Sequence, residues 1–262
     1  MKTLMKFAVA ASAIILVLGS AAHADVLENI KKSGKVRIAV AMGSPEYSFV
    51  DGEMKATGSD VETARLIAND LGAKLELVEI TNAARVPTVQ TGKADLLVSA
   101  LGITEERKKA IDYSVPYATL SIIVAAPKEV DIKNYADLAG KRIGVTRATT
   151  NDMDITKNAP GAQIARFEDD ATLITAAVTG QVDIISSQSA VLGGINAKRT
   201  AKPLELKFTQ AETNLGIAIP KGEKPLQDWL NGWVKTNFAN GTLRDLFRKF
   251  HNRDLPDDLT SR

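Results

Sequence analysis

The stretch GSDVETARLIANDLGAKLELVEI, residues 58–80, contains a helix signal followed at once by a strand signal. Ser59 and Glu62 predict a capping box at the start of the helix, and Gly72 is expected to end it. The buried face of this helix is predicted by apolar residues at helical spacing: Val61, Ala64, Leu66, Ile67, Ala68 and Leu71. The run KLELVEI (74–80) then predicts a strand. A helix that leads directly into a strand is typical of an α/β fold.

Strand-like runs alternate with helical ones in two successive parts of the chain, which predicts parallel sheets with helices packed on them. The strand-like runs are KVRIAVA (35–41) and DLLVSAL (95–101) in the first part, and KRIGVT (141–146), AQIARF (162–167) and VDIISS (182–187) in the second. Residues 169–181 predict a helix whose first turn holds aspartates, which suits the helix dipole. The segments VQTGKADLLVSA (89–100) and AVTGQVDIISSQ (177–188) share one pattern. Two similar α/β halves are therefore expected.

The first 24 residues, MKTLMKFAVAASAIILVLGSAAHA, carry the features of an export signal. Lys2 and Lys6 make a positive start, residues 7–18 form an apolar run too short for a confident membrane span, and residues 22–24 are a small-residue cleavage site. An uncleaved membrane anchor fits poorly, because a polar, small-residue end follows the apolar run directly. The chain has no cysteine to carry a lipid. We expect cleavage after residue 24 and a soluble periplasmic protein that starts at Asp25.

The composition of the mature chain excludes several classes of function. Without the two lysines of the signal, the 33 basic residues fall to 31 and equal the 31 acidic ones, so no net field attracts nucleic acid. One histidine, His251, and no cysteine leave no ordinary zinc site and no plausible catalytic triad. His251 lies in the charged run RKFHNRD and is expected to be solvated. No nucleotide-binding glycine motif occurs, so neither a cofactor nor a metal is expected.

The run SALGITEERKK (99–109) follows a predicted strand, and ligands of open α/β sheets bind at the carboxyl ends of strands. Residues 99–102 are small or neutral, so their backbone N–H and C=O groups can approach a ligand. The donors of Arg107 suit a carboxylate held in a bidentate pair. The alternative is that Arg107 is one more solvated residue of a charged helix.

Five segments of the mature chain carry a resemblance to a known family. Residues 58–80 are similar to a G-x-D-V-D-L-A helix with its following strand, and residues 84–117 to the motifs N-R-I-P-x-L-x-S-G-K-x-D, T-I-T-P-E-R and D-F-S-x-P-Y. The other matching segments are LAGKRIGVTRATTND (138–152), FEDDATLITAAVTGQVDIISS (167–187) and NFANGTLRDLFRKF (237–250). From about residue 36 to 250, the chain resembles the polar amino-acid family of periplasmic solute-binding proteins, the receptors of ABC importers.

The resemblance implies a two-lobed periplasmic-binding-protein fold, in which each lobe is a mostly parallel sheet flanked by helices. Lobe 1 would comprise residues 25–118 with 216–262, and lobe 2 residues 119–215. Two hinge strands would join the lobes near residues 118–121 and 213–216. A monomer would bind its ligand in the cleft between the lobes, and the closed form would be recognised by the permease of a membrane ABC transporter.

The family pattern also implies roles for residues of the first lobe. Arg107 stands where an arginine pairs with the α-carboxylate of the ligand, and Ala100 where a backbone carbonyl accepts from the α-ammonium. Gly102 stands where a Ser or Thr offers its N–H and hydroxyl to the carboxylate. Tyr47 matches an aromatic residue of the first loop. Arg85 matches the arginine of N-R-I-P, which resembles a contact to a second carboxylate in receptors for acidic amino acids.

In the second lobe, Thr149 and Thr150 match a G-T-T motif that closes over the carboxylate. Gln188 stands where amino-acid receptors place an aspartate against the α-ammonium, and an amide supplies no counter-charge. Arg147 adds a positive charge, so the site would hold up to three arginines and few acids. The expected ligand is a small carboxylate, an acidic or neutral amino acid or a related organic acid, with anions favoured over lysine and arginine. For Arg147 and for the arginine of N-R-I-P, the alternative is a pair with a surface carboxylate.

Two other functions stay open from the sequence. Cyclohexadienyl dehydratases resemble this family and use the same cleft, but they need a carboxyl group there as general acid. Glu46 is the acid nearest to the expected site, and the amide of Gln188 cannot donate a proton usefully. A ligand-sensing module is a further alternative, which would need a separate partner. The favoured interpretation is a binding protein with no catalytic residue.

Overall fold

The computed structural model describes residues 25–262. The predicted export signal, residues 1–24, lies outside the described residues. Asp25 caps the first helix, because its carboxylate accepts hydrogen bonds from the N–H groups of Leu27 and Glu28. Between residues 25 and 262, no helix is both long and apolar enough to cross a membrane.

Helices and strands alternate over most of the described chain. The helices are α1 (Val26–Ser33), α2 (Ser59–Asp70), α3 (Arg85–Gln90), α4 (Glu105–Lys108), α5 (Thr150–Asn158), α6 (Asp170–Val178), α7 (Ser189–Asn196), α8 (Lys224–Ala239) and α9 (Thr242–His251). The strands are β1 (Lys35–Ala41), β2 (Phe49–Val50), β3 (Ala56–Thr57), β4 (Lys74–Ile80), β5 (Leu96–Leu97), β6 (Ile111–Tyr113), β7 (Ala118–Pro127), β8 (Arg142–Thr146), β9 (Gln163–Phe167), β10 (Ile184–Gln188), β11 (Leu204–Leu215) and β12 (Ala218–Pro220). Short 3-10 helices lie at Asn82–Ala84, Tyr135–Leu138 and Leu259–Ser261.

Two five-stranded mixed sheets form the two lobes, and the predicted α/β two-lobed fold is confirmed. In the first sheet, of order β4-β1-β5-β12-β6, β1 is parallel to β4 and β5, whereas β12 is antiparallel to both its neighbours. In the second, of order β11-β7-β10-β8-β9, β8 is parallel to β9 and β10, whereas β7 is antiparallel to β10 and β11. The parallel strands come from the alternating units, and the antiparallel ones flank the crossings between the lobes.

The chain crosses between the lobes twice, and the two crossings lie side by side. One runs from β6 into β7, and the other runs from β11 back into β12. Ala118 at the start of β7 is paired with Leu215 at the end of β11, and the N–H of Tyr117 donates to the carbonyl of Leu215 at 3.0 Å. These crossings coincide with the expected hinge at 118–121 and 213–216. The lobe boundaries and the hinge motion themselves stay predictions.

The predicted capping box at the start of α2 is wrong. Gly58 is the N-cap with a φ of 115°, and a Cβ there would lie 2.4 Å from the carbonyl oxygen of Tyr47. The hydroxyl of Ser59 lies 2.9 Å from Nε2 of His251, and Glu62 makes an ion pair within the helix instead. A close backbone approach, which no local pattern shows, therefore determines how this helix begins.

His251, which was expected in solvent, is buried in lobe 1. Its ring stacks on Phe247 with centroids 4.0 Å apart and tilts against Tyr47 at 4.4 Å. Its Nδ1 lies 2.9 Å from the carboxylate of Glu46, and burial lowers the pKa of the imidazole. The prediction was wrong because α9 packs against α2, so this residue of a charged run points towards the protein interior.

Candidate ligand-binding site

A cavity of about 30 Å³ lies between the two lobes. The carboxyl ends of β1 and β5 contribute one wall, and the end of β10 with the first turns of α5 and α6 contributes the other. Its polar wall in lobe 1 is formed by Ser44, Ser48, Asn82, Arg85, Ser99 and Arg107. Its polar wall in lobe 2 is formed by Thr149, Thr150, Asn151, Asp170, Ser187 and Gln188. The position agrees with the general rule for ligands of open α/β sheets.

Arg107 lies in the cavity wall and is only 7% exposed. Thr104 caps the four-residue helix α4 and holds the N–H of Arg107 at 3.2 Å. The guanidinium donates to the carbonyl of Gly102 at 2.8 Å and, across the cleft, to the carbonyl of Ala148 at 2.9 Å. Burial lowers the pKa of this guanidinium. The solvated alternative for Arg107 is therefore wrong, and its pairing with a ligand stays a prediction.

Arg85, the first residue of α3, is a second buried cation in the same wall. Its guanidinium donates to the carbonyls of Asn82 at 3.0 Å, Ser99 at 3.1 Å and Ala148 at 3.4 Å. Burial, together with the nearby charge of Arg107, lowers its pKa to about 9. Within residues 25–262, the hydrogen bonds of Arg85 all go to backbone carbonyls, so the expected alternative of a surface ion pair is not what is observed.

The carbonyl of Ala148 is the point in lobe 2 on which both buried arginines converge. Ala148 has a φ of 58°, in the left-handed region that favours the glycine of the family motif. The adjacent Thr149 is the N-cap of α5: its hydroxyl accepts from the N–H of Asp152 and donates to the carbonyl of Thr146 at 2.6 Å. That hydroxyl is thus already engaged, whereas Thr150, also in the cavity wall, makes no side-chain hydrogen bond within the described residues.

Asp170 supplies an acid that sequence reasoning missed. It is the first residue of α6, 4% exposed, and it lines the cavity. Its carboxylate accepts from the hydroxyls of Thr146 at 2.6 Å and Ser44 at 2.9 Å, and from the amide of Gln188 at 3.0 Å. The sequence signal was an aspartate three residues after strand β9, which we interpreted only as a favourable charge at a helix N-terminus. The expectation of up to three arginines and few acids did not include this buried carboxylate.

Gln188, the last residue of β10, lies beside Asp170 and is 8% exposed. Its amide nitrogen donates to Asp170 and to the hydroxyl of Ser44 at 2.5 Å, whereas its Oε1 is buried without a hydrogen-bond partner. The position at which the resemblance implies an acid thus holds an amide, and the carboxylate of Asp170 lies 3.0 Å from its nitrogen. The side-chain oxygen of Asn82 is a second buried acceptor without a partner in the same wall.

Three predicted site residues lie elsewhere or offer no room. Arg147 pairs with Glu168 at 2.9 Å on the surface, as the alternative interpretation had it. Tyr47 is 1% exposed, and its hydroxyl donates to the carbonyl of Thr119 at the start of the crossing strand β7, so it is a core residue. At Gly102 a Cβ would lie 2.6 Å from a methyl of Thr213 and 2.8 Å from one of Thr150, so a serine or threonine there would require these side chains to move. Thr213 and Thr150, which limit the space at Gly102, are distant from it in the sequence, so no local pattern predicts these contacts.

Below the cavity, Asp60 is completely buried. It accepts a hydrogen bond from the hydroxyl of Tyr117 at 2.6 Å, while its Oδ2 has no partner. Burial raises the pKa of this carboxyl to about 7. Ala100 lines the cavity directly above it with a φ of 43°, and its carbonyl accepts from Arg85 at 3.4 Å. No cluster of three or more His, Asp or Glu residues within 25–262 could hold a metal ion.

The sequence profile of the bacterial extracellular solute-binding proteins, family 3, matches residues 36–253. The chain belongs to this family. It is 29% identical over 242 residues to the ABC transporter glutamine-binding protein GlnH of Bacillus subtilis, covering 88% of this chain and 86% of that one. It is 28% identical over 253 residues to the L-cystine-binding protein TcyJ of Escherichia coli K12, covering 93% and 94%.

Solved structures agree with this assignment. An arginine-binding protein of Thermotoga maritima, crystallised as a mutant, superposes with a TM-score of 0.81 at 28% identity, over 87% of this chain and all of that one. An ancestral amino-acid-binding protein described as a precursor of cyclohexadienyl dehydratase superposes with a TM-score of 0.77 at 32% identity, over 86% and 98%. The expectation of a solute-binding protein rather than an enzyme is confirmed by the family. Glu46, the acid considered for a dehydratase, is bonded to His251 and is absent from the cavity wall.

Proposed function

We propose that this protein is the periplasmic receptor of an ABC importer for a small acidic α-amino acid, one that carries a net charge of −1. One observation carries the proposal: the cavity wall holds two buried guanidinium groups and a single buried carboxylate. An unpaired buried charge is costly, and a ligand that brings the missing negative charge removes this cost. The names of the relatives, which bind glutamine and cystine, support an amino acid and an ABC transporter.

The charge balance separates acidic from basic and neutral ligands. Arg85 and Arg107 are positive and Asp170 is negative, so the wall has an excess of one positive charge. Asp60, with a pKa of about 7 and no place in the wall, reduces this excess only in part at neutral pH. Aspartate or glutamate, as anions, would balance the site. Arginine and lysine would add a charge of the wrong sign to a desolvated cavity.

Each charge of such a ligand has a partner in the wall. Arg107 would bind the α-carboxylate, and Arg85 with the amide of Asn82 would bind the side-chain carboxylate. Asp170 and the free Oε1 of Gln188 would accept from the α-ammonium. An anion without an ammonium group, which the sequence had left open, would leave Asp170 without a counter-charge in the closed cleft.

Binding would be coupled to movement of the lobes. Arg85 and Arg107 both donate across the cleft to the carbonyl of Ala148, so this contact occupies the groups that a ligand carboxylate would need. The ligand would therefore enter an open form and replace Ala148 as the partner of the arginines. Hinge bending near residues 118–121 and 213–216 would move lobe 2, residues 119–215, against the rest of the chain. The closed monomer would then dock on the permease.

Isothermal titration calorimetry with L-aspartate, L-glutamate, L-glutamine, L-cystine and L-arginine tests the proposal. The two acidic amino acids should bind at least tenfold more tightly than the others, and thermal-shift assays should rank the ligands in the same order. The variant Arg85→Met should abolish this preference, because it removes the excess charge but keeps an apolar side chain of similar length. Tighter binding of glutamine or arginine to the wild type would refute the charge argument.

A further inference from the structure

The loop between β1 and β2, residues 42–48, reaches across the cleft from lobe 1 to lobe 2. The hydroxyl of Ser44 donates to Oδ2 of Asp170 at 2.9 Å and accepts from Nε2 of Gln188 at 2.5 Å. Ser44 is itself 5% exposed, so this contact is closed to solvent. One serine of lobe 1 thus joins the only two residues of lobe 2 assigned here to the α-ammonium.

The loop fits tightly against lobe 2 on both sides of Ser44. A Cβ at Gly43 would lie 3.1 Å from the Cβ of Ala171, in the first turn of α6. A Cβ at Gly194, in α7, would lie 3.2 Å from Pro45 of the loop. Glycine at both positions therefore allows the approach that brings the Ser44 hydroxyl within hydrogen-bond distance of its partners.

The same loop is held firmly within lobe 1. Ser44 and Ser48 exchange two backbone hydrogen bonds of 2.9 Å, and the hydroxyl of Ser48 donates to the carbonyl of Ala41 at 2.5 Å. The carboxylate of Glu46 is fixed by His251. The position of the Ser44 hydroxyl is therefore set by lobe 1, and it meets Asp170 and Gln188 only when the lobes are closed.

The contact fixes the orientation of the Gln188 amide in the cavity wall. With Nε2 held by Ser44 and by the carboxylate of Asp170, Oε1 is left as a buried acceptor without a partner. The flipped amide would set Oε1 against a carboxylate oxygen, two acceptors without a proton between them. The carboxylate of Asp170 accepts three hydrogen bonds, which leaves about one of its four acceptor positions.

We infer that Ser44 is a specificity-determining positioning residue: on closure, its hydroxyl orients Asp170 and Gln188 so that both present an acceptor to the α-ammonium of the ligand. Closure and recognition of the ammonium thereby become one event. The inference rests on the proposed amino-acid-binding function, but it does not depend on the charge of the ligand's side chain. A receptor that uses Ser44 in this way would bind an amino acid more tightly than the same compound without its amino group.

The test compares amino acids with their des-amino analogues in wild type, Ser44→Ala and Ser44→Thr. The two pairs are L-aspartate with succinate and L-glutamine with glutaramate. Calorimetry measures the Kd of each compound, and analogues that bind weakly are tested at up to 100 mM by competition against the amino acid. Ser44→Ala should weaken the amino acid at least tenfold and its analogue less than threefold, while Ser44→Thr, which keeps the hydroxyl, should restore discrimination. The exposed Ser33 gives the control variant Ser33→Ala, which should match the wild type.

Two results would overturn the role of Ser44. Equal weakening of both members of a pair would mean that the residue only holds the lobes together. An unchanged affinity for the amino acid would mean that it does not act on binding at all. Failure of the proposed function looks different: the glutamine pair would bind more tightly than the aspartate pair in the wild type, and the effect of Ser44→Ala would then be measured on the glutamine pair.

Discussion

Replacing Arg107 by alanine should weaken ligand binding strongly and leave the ligand-free fold largely intact. The guanidinium makes two hydrogen bonds to backbone carbonyls, one within lobe 1 to Gly102 and one across the cleft to Ala148. No carboxylate among residues 25–262 forms an ion pair with it within 4.0 Å, so a ligand carboxylate would be its first partner of opposite charge.

The magnitude follows from the burial of the side chain, which is 7% exposed. Removing one partner of a buried, hydrogen-bonded charge pair costs about 2–5 kcal/mol of binding free energy. At about 1.4 kcal/mol per tenfold, this raises the Kd about 30-fold to 5,000-fold. Without ligand, the lost hydrogen bonds are offset by relief from burying an unpaired cation. The free energy of unfolding should therefore change by about 1 kcal/mol or less.

Calorimetry with L-aspartate and L-glutamate measures the effect, and Arg147→Ala provides the matched control. Arg147 is the same residue type in the same region, but it is half exposed and paired with Glu168 outside the cavity. The control should bind within about threefold of wild type, as surface changes usually cost no more than about 0.5 kcal/mol. Arg107→Lys keeps the positive charge and loses the planar set of donors, so its Kd should lie between those of the wild type and of Arg107→Ala. Binding by Arg107→Ala within threefold of wild type, or an equal loss in the control, would refute the reasoning.

Three further predictions concern stability and closure. The pKa of Asp60 is raised from 3.8 to about 7 in the fold, so the folded state holds a proton that the unfolded state releases, and stability should fall by about 4 kcal/mol as pH rises from 3.8 through 7. Urea unfolding at pH 5 and pH 8 should show about 3 kcal/mol of this fall in the wild type, since part of it is already lost at pH 5, and Asp60→Asn should remove it. The lowered pKa of His251 acts in the opposite direction: stability should decrease as pH falls below about 6.5, and His251→Gln should remove this decrease; an unaltered slope in urea titrations between pH 6.5 and 5 would contradict it. Gly102→Ser should weaken ligand binding at least tenfold with little change in the stability of the open form, because its Cβ would lie 2.6 Å from Thr213 in the closed cleft; calorimetry and the thermal midpoint without ligand separate the two effects, and wild-type affinity in this variant would show that the contact is relieved at no cost.

Local sequence patterns predicted the elements well where one face of an element is buried by its own lobe. The strand at 35–41 and the strand at 74–80 were predicted with their observed bounds. The strand predicted at 95–101 is hydrogen-bonded into the sheet only at Leu96 and Leu97. Beyond these residues the chain leaves the sheet and forms part of the cavity wall. Apolar periodicity reports that a segment is buried. It does not report where the backbone stops pairing with its neighbour and becomes available to a ligand.

The candidate site was predictable only in part, because its two walls come from distant parts of the chain. Arg85, Arg107 and Gln188 follow motifs that the sequence displays, and they lie in the wall. Ser44 and Asp170 are 126 residues apart in the sequence, and only the tertiary fold brings them to 2.9 Å. A charged residue near a motif, such as Arg147, can point into the cavity or towards solvent. In the structure Arg147 forms an ion pair with Glu168 at the surface.

By itself, the sequence determined the α/β class, the alternation of helix and strand, and a family motif with an arginine at its end. These follow from interactions between residues that are close in the chain, where the period of apolar side chains and the capping residues act locally. Only the tertiary structure decided which charges share the cavity. Partners from the other lobe or from a distant segment determine the burial of Asp170 and Arg85. They also determine the position of Tyr47 in the core and the orientation of the Gln188 amide. The physical reason is that a side chain is desolvated only once such partners enclose it.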